Sequence, residues 1–235
     1  MAKIRLDKIL SSDGRFSRST AEKMIRSGRV FVNGKSAKSG SEKYDTDTDE
    51  ILVDGEALHY AEFFYIMMNK PAGVLSATED RADKTALDLL PENFQKLKLF
   101  PAGRLDKDSE GLLIMTNDGA YAHKVITPNK NVFKKYYIRV EGTLEKSDIA
   151  AVESGIALSD FTTLPGKLEI LSDSEAYVYI REGKYHQVKR MLGALGKPVT
   201  YLKRVSIGSL VLDGKLAPGE WREMTDEEAG SVFVG

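Results

Sequence analysis

The sequence predicts an α+β protein in two parts. A small N-terminal domain, a helix pair with a β-ribbon, precedes a larger domain built on a mixed, largely antiparallel sheet with flanking helices. Three observations carry this expectation. The chain has 235 residues, enough for a small domain plus a medium one. Residues 1–43 hold eleven Lys and Arg against four Asp and Glu, a local excess of seven, whereas residues 44–62 are acidic with no Lys or Arg. Beyond residue 62, strand patterns outnumber helical ones without alternating with them, which argues against a doubly wound parallel sheet. The expected boundaries are residues 1–58 for the first domain, 59–62 for a linker and 63–235 for the second.

Leu6, Ile9 and Leu10 have helical spacing, with a stop expected near Asp13-Gly14. Ser17, Ser19 or Thr20 can cap a second helix that carries Ala21, Met24 and Ile25 on one face and ends at Ser27-Gly28. Arg29–Val32 reads as a strand, with Asn33-Gly34 as a two-residue hairpin turn; Ile51–Val53 and Asp54-Gly55 repeat the signal. Phe63–Met68 is a continuous apolar run of strand length, expected as a buried central strand. Thr85–Leu90 is expected as a short helix ended by Pro91. A polar, Gly-rich loop runs from Pro101 into an apolar strand at Leu112–Met115 and places Arg104, Asp106 and Asp108 at a sheet rim. Asn117-Asp-Gly119 turns into a helix reaching Ile126. Lys135–Glu141 is a strand, Ser147 can cap a helix, Ala176–Ile180 is a strand, and His186–Leu195 is helical with Gly196-Lys-Pro198 stopping it. Strand signals return at Thr200–Val205 and Leu210–Leu212.

Composition excludes several classes. No apolar run approaches the roughly 18 residues a bilayer span requires, and Asp7 stands where a signal peptide needs apolar residues. The absence of cysteine removes disulfides, thiolate nucleophiles and Cys-based zinc or iron–sulfur sites. A cytoplasmic protein is expected. The net charge of −1 conceals the basic N-terminal segment, which suits a module that meets phosphate; a solvated charged surface is the alternative.

Several motif matches fail on context. Asn33-Gly-Lys-Ser36 ends like a phosphate-binding loop, but Arg29 occupies the earlier glycine position. Asp45, Asp47 and Asp49 mimic a calcium loop whose sharp-turn glycine is replaced by Glu50. His59, His123 and His186 share no metal-ligand spacing. Four separated segments remain: Asn69-Lys-Pro-Ala-Gly73, Gly103-Arg-Leu-Asp106, Lys134-Lys-Tyr-Tyr-Ile138, and Glu182-Gly-Lys-Tyr-His-Gln-Val-Lys-Arg-Met191.

The N-terminal pieces Arg5-Leu-Asp-Lys8, Ser17-Arg-Ser19, Ala21-Glu22, Ile25 and Gly28-Arg-Val-Phe-Val-Asn-Gly34 resemble the S4 RNA-binding module. That resemblance implies a basic face docking on structured RNA, with Arg5, Arg18, Lys23, Arg26 and Arg29 as the contacts. The stretch from Phe100 to Gly119 closely resembles the active-site loop of the RsuA-type pseudouridine synthases, which isomerise uridine in ribosomal RNA. The order and spacing of all four segments match that group. So do Tyr201-Leu-Lys-Arg-Val-Ser-Ile-Gly208 and Leu216-Ala-Pro-Gly-Glu-Trp-Arg222. Glu182–Met191 looks most like the small-subunit (16S) rRNA enzymes.

The resemblance implies an isomerase in which Asp106 attacks the ribose or the base, or draws a sugar proton. A basic partner keeps such an Asp ionised and oriented. Lys189 occupies that position, where many relatives carry Arg; lysine offers a point charge in place of a fork. Tyr136 matches the aromatic that stacks on the extracted uracil, and Arg104 the residue that holds the displaced strand. Uridine-to-pseudouridine isomerisation oxidises nothing and transfers no group, so no cofactor is required. The expected protein is a monomer acting on small-subunit rRNA or a precursor particle. The alternatives are a large-subunit (23S) rRNA synthase of the same group, or a non-catalytic RNA-binding assembly factor, which would have no use for Asp106, Tyr136 and Lys189 together.

Overall fold

The computed structural model describes residues 3–12, 14, 16–58, 60–127 and 132–234. The chain divides into two compact units, Met1–Phe63 with Pro91–Leu99, and Phe64–Leu90 with Phe100–Gly235. Asp13 and His59, expected at a helix stop and in a linker, lie outside the described residues.

In the first unit β1 (Ile4–Arg5) leads into α1 (Leu6–Leu10) and α2 (Arg18–Arg26). Then come β2 (Val30–Val32), β3 (Lys35–Ser36), β4 (Lys43–Tyr44), β5 (Ile51–Val53) and β6 (Glu56–Ala57). The Ser17 hydroxyl caps α2 by accepting from the Thr20 N–H at 3.1 Å, satisfying a donor that the helix cannot. Leu6, Ile9, Leu10, Ala21, Met24 and Ile25 bury their side chains against Val30, Val32, Ile51 and Val53. Strands run β3-β2-β5-β6 in an antiparallel ribbon, and β1 pairs with β4. Asn33 (φ 50°) with Gly34 (φ 74°), and Asp54 (φ 53°) with Gly55 (φ 86°), make turns with both central residues in the left-handed region, which matches strand twist in two-residue hairpins. Pro91–Leu99 groups with this unit, although its place in the sequence led us to expect it in the second domain. Gly14 (φ +73°) lies so close to Asn93 that an added Cβ would come within 2.0 Å of its carbonyl oxygen.

After β7 (Tyr65–Lys70) and a 3-10 turn at Leu87–Leu89 come α3 (Glu92–Gln95), which belongs to the first unit, and β8 (Phe100–Pro101). The chain continues through β9 (Glu110–Thr116), α4 (Gly119–Ile126), β10 (Lys134–Val140), α5 (Lys146–Ser154), β11 (Lys167–Ile170), β12 (Glu175–Ile180) and α6 (Gln187–Ala194). It ends with β13 (Val199–Ile207), β14 (Leu210–Val211), β15 (Trp221–Glu223) and α7 (Asp226–Ser231). The nine-stranded sheet follows the path β11-β12-β10-β13-β9-β7-β15, with β8 on β9 and β14 on β13. The class is α+β, with a mixed sheet flanked by helices. Every pairing in this sheet is antiparallel except β13 with β9, which meet in parallel over two residue pairs, Lys203↔Glu110 and Arg204↔Gly111. The site forms at this seam. Gly111 (φ 102°) is required there, because a Cβ would stand 2.2 Å from the Arg204 carbonyl oxygen.

Four local expectations are corrected. Phe63 is 44% exposed and the strand begins at Tyr65; β7 is second from an edge, because β15 flanks it. The expected helix at 85–90 contracts to the 3-10 turn. The first helix ends at Leu10. Helix α5 is capped by Glu145, whose carboxylate accepts from the Asp148 N–H while Asp148 returns the bond to the Glu145 N–H; Ser147 sits inside the first turn. Among the described residues no helix is long and apolar enough to cross a membrane.

Candidate active site

Residues 104–109 form the loop that enters β9, and buried groups fix its backbone. The Ser76 hydroxyl accepts from the Leu105 N–H at 2.9 Å and donates to the Leu105 carbonyl at 2.8 Å. Lys70, with no exposed surface, donates to the carbonyls of Pro71 (2.9 Å), Lys107 (3.3 Å) and Ser109 (2.8 Å). Burial pushes its ammonium down to about 8, against the pull of Asp108, Asp106 and Glu110. From across the seam Arg204 donates its Nε–H to the Leu112 carbonyl at 2.7 Å and Nη1 to the Arg104 carbonyl at 3.4 Å. The Ser109 N–H closes a turn on the Asp106 carbonyl at 3.1 Å. With the backbone held at each of these points, the Asp106 side chain has a defined direction.

Asp106 opens into a cleft whose walls include Arg104, Ser109, Tyr136, Lys184, His186 and Val188. Tyr136 reaches it from β10, where alternation buries Tyr136, Ile138 and Val140 while Tyr137 faces the other way. The far wall depends on the turn before α6. Buried Glu182 accepts from the Leu164 N–H and from Gln187 Nε2, both at 2.8 Å, and Gln187 accepts from the Lys184 N–H at 3.0 Å. His186 caps α6 at φ 48°, a left-handed position that costs a non-glycine residue energy and is over-represented at functional sites. Its Nε2 lies 3.6 Å from Asp106 Oδ1, and its ring stacks on exposed Tyr185 with centroids 3.8 Å apart.

One helical turn on, Lys189 Nζ stands 3.5 Å from Asp106 Oδ2 and 2.6 Å from Asp108 Oδ1. The lysine therefore serves two carboxylates, with the shorter hydrogen bond to Asp108. That bond holds the Asp108 carboxyl below the usual carboxylate range. Asp106 and Lys189 each keep about a quarter of the side chain exposed, whereas Asp108 is 73% exposed. A carboxylate at the mouth of a cleft, beside a cation and opposite an aromatic ring, suits attack on, or proton transfer from, a planar base or its sugar.

The structure thus brings together Asp106, Tyr136, Lys189 and, on the rim, exposed Arg104. The five expected RNA contacts, Arg5, Arg18, Lys23, Arg26 and Arg29, are all exposed, but three are engaged. Arg5 forks onto buried Asp7 at 3.0 and 2.9 Å, Arg29 onto Asp54 at 2.7 and 2.5 Å, and Arg26 lies 3.6 Å from Glu22. Arg18 and Lys23 form no ion pair among the described residues. Sequence reasoning overlooked four groups that shape this site: His186, dismissed for lacking metal-ligand spacing, and Lys70, Ser76 and Arg204. Lys70, His186 and Arg204 fall inside segments already singled out, which was a usable signal; nothing in the sequence marked Ser76.

Residues 64–194 match the family described as RNA pseudouridylate synthase, and residues 4–51 match the S4 domain. The chain is 46% identical over 230 residues to a Bacillus subtilis (strain 168) protein named uncharacterized RNA pseudouridine synthase YtzG, covering 96% of each. It is 40% identical over 233 residues to the ribosomal small subunit pseudouridine synthase A of Vibrio cholerae, covering 98% of this chain and all of the relative. A solved structure described as a crystal structure of pseudouridylate synthase aligns with a TM-score of 0.69 and 38% identity, covering 97% of this chain and 99% of the other.

Proposed function

The chain belongs to the RNA pseudouridine synthase family, with an N-terminal S4 domain, and we propose that its substrate is the 16S RNA of the small ribosomal subunit during assembly. The enzyme is an isomerase. It breaks the bond between uracil N1 and the ribose, turns the base and rejoins it through C5; the C5 proton leaves and N1 gains one, so the product is an isomer. The observation that carries the substrate assignment is the full-length similarity to proteins named ribosomal small subunit pseudouridine synthase A.

In this reading Asp106 acts on the ribose or base of a uridine taken out of its helix, since a paired and stacked uridine hides its reacting atoms. Lys189, shared with Asp108, aims Asp106. Tyr136 stacks on the uracil and helps remove the C5 proton. Arg104, exposed at the mouth, holds the strand from which the uridine came. Arg18 and Lys23 supply phosphate contacts from the S4 domain, and Arg5, Arg26 and Arg29 join them by exchanging carboxylate partners for phosphate. The protein works in the cytoplasm because its substrate is there.

The test is to incubate the protein separately with small- and large-subunit rRNA and precursor particles, then map pseudouridine by chemical labelling and primer-extension stops. A single new site in small-subunit RNA, absent with Asp106→Asn, is the expected result. Modification confined to large-subunit RNA would overturn the substrate assignment.

A further inference from the structure

The geometry points to a second RNA-docking surface: the face of strands β11-β12-β10-β13 that points away from the Asp106 cleft binds single-stranded RNA flanking the target. This inference rests on the chain acting on RNA, and it does not depend on which ribosomal subunit is modified.

Strand registers align the side chains of this face in three cross-strand rows. The first is Lys167, Tyr179, Lys135 and Ser206; the second is Glu169, Tyr177, Tyr137 and Lys203; the third includes Glu175, Arg139 and Tyr201. None of these side chains joins the core under α5 and α6, which takes Tyr136, Ile138, Ala176, Val178, Leu168 and Leu202 from the opposite face. Tyr137 of β10 and Tyr177 and Tyr179 of β12, the two inner strands, therefore stand outward. Tyr137 lies 6.0 Å by ring centroid from both Tyr177 and Tyr201. A four-stranded sheet with aromatics on its inner strands can stack successive bases, because every base offers a π-face.

Charge supports the same occupant. The rows hold four cations and two carboxylates, and both carboxylates are engaged locally. Glu169 accepts from the Tyr179 hydroxyl at 2.9 Å and lies 3.6 Å from Lys167, and Glu175 lies 3.4 Å from Arg139. Lys135 and Lys203 pair with no carboxylate among the described residues. Lys135 instead rests its ammonium 3.7 Å from the Tyr177 ring centre. Beside it a largely apolar cavity opens between Phe133, Lys135, Lys167, Tyr179 and Ser206, offering an apolar floor for a base and two ammonium groups for its phosphates. A base entering the stack moves Lys135 from the ring to the backbone, exchanging an exposed cation–π contact for a phosphate pair. Cross-strand Tyr and Lys pairs also stabilise exposed sheets without a ligand, and binding measurements separate the two roles.

The full-length protein is titrated with fluorescently labelled, unstructured oligouridylate, and its single-turnover rate is measured on rRNA at saturating enzyme. Tyr177→Ala and Tyr179→Ala should each weaken oligouridylate binding roughly tenfold, and Lys135→Gln should lower the slope of log affinity against log salt. The saturated single-turnover rate should stay at the wild-type value. Unchanged affinity in all three variants, with melting transitions intact, would overturn the proposal and leave the face to a protein partner or to solvent. Should the alanine variants fold poorly, wild-type protein is photo-cross-linked to 4-thiouridine-substituted RNA. Adducts within residues 167–179 or 201–206 support the surface, and adducts confined to residues 104–109 and 182–190 refute it.

Discussion

Replacing Ser76 with Ala removes the hydroxyl that holds both backbone groups of Leu105, the residue between Arg104 and Asp106. In the folded protein that hydroxyl accepts at 2.9 Å and donates at 2.8 Å, in a position only 5% exposed. Alanine leaves a buried N–H and a buried carbonyl without these partners. Each orphaned group costs about 1–3 kcal/mol, so a loss of about 2–6 kcal/mol is expected, less wherever water enters. The larger consequence is for the reaction. Freed from Ser76, Leu105 shifts to recover hydrogen bonds and carries Asp106 with it, and a displacement of about 1 Å can cost on the order of 100-fold in rate. Ser76→Cys, of similar size but a weaker donor and acceptor, should fall between. The assay pairs urea unfolding, in which the midpoint should drop without a change in slope, with the single-turnover rate at saturating enzyme. A destabilised Ser76→Ala protein with the wild-type rate would refute the claim that this hydroxyl aims the aspartate.

Asp106→Asn should abolish isomerisation while retaining RNA affinity; turnover above a few per cent of wild type in a mapping assay would shift the chemistry to Asp108. Tyr136→Phe should retain stacking and Tyr136→Ala should lose it, so only the alanine variant should weaken substrate binding by about 1–3 kcal/mol; equal single-turnover rates and affinities for both would make Tyr136 a core residue. Arg18→Gln with Lys23→Gln should reduce the slope of log affinity against log salt by about 0.7–0.9 for each phosphate no longer neutralised, and identical slopes would remove both from the RNA interface. Burial, then Arg204, pushes the Lys134 ammonium down to about 8. Between pH 8 and 10 the folded chain releases this proton before the unfolded one, so stability should rise with pH relative to Lys134→Met. The gain is at most about 2 kcal/mol at pH 9.5, read as the difference in urea midpoints at pH 7.5 and 9.5; parallel curves would contradict a strained buried charge.

What the sequence determined by itself was local. Asn33-Gly34 and Asp54-Gly55 specify tight turns because few other residue pairs tolerate two successive left-handed conformations, and both turns occur. Ser17 and Asp118 cap the helices they precede, since a short oxygen-bearing side chain can reach the free N–H groups one turn on. The Asp106 loop was legible because its Gly and charged residues are contiguous. Tertiary structure decided whatever depends on distant partners. Phe63 is as apolar as its neighbours, yet it stays outside because strand pairing starts only at Tyr65, after Phe64 has given its N–H to the Asn117 side chain. Trp221–Glu223 becomes a strand only because β7 offers it an edge. Lys189 could be read as a partner for Asp106, but its closest oxygen belongs to Asp108, 81 residues away in sequence, and a flexible ammonium settles where two carboxylates converge. Lys70, Ser76 and Arg204 fix the active loop through backbone carbonyls and amides. Every residue carries those groups, so the sequence cannot mark which of them will be held; the parallel seam between β13 and β9 brings Arg204 within reach, and the antiparallel pairing of β7 with β9 brings Lys70.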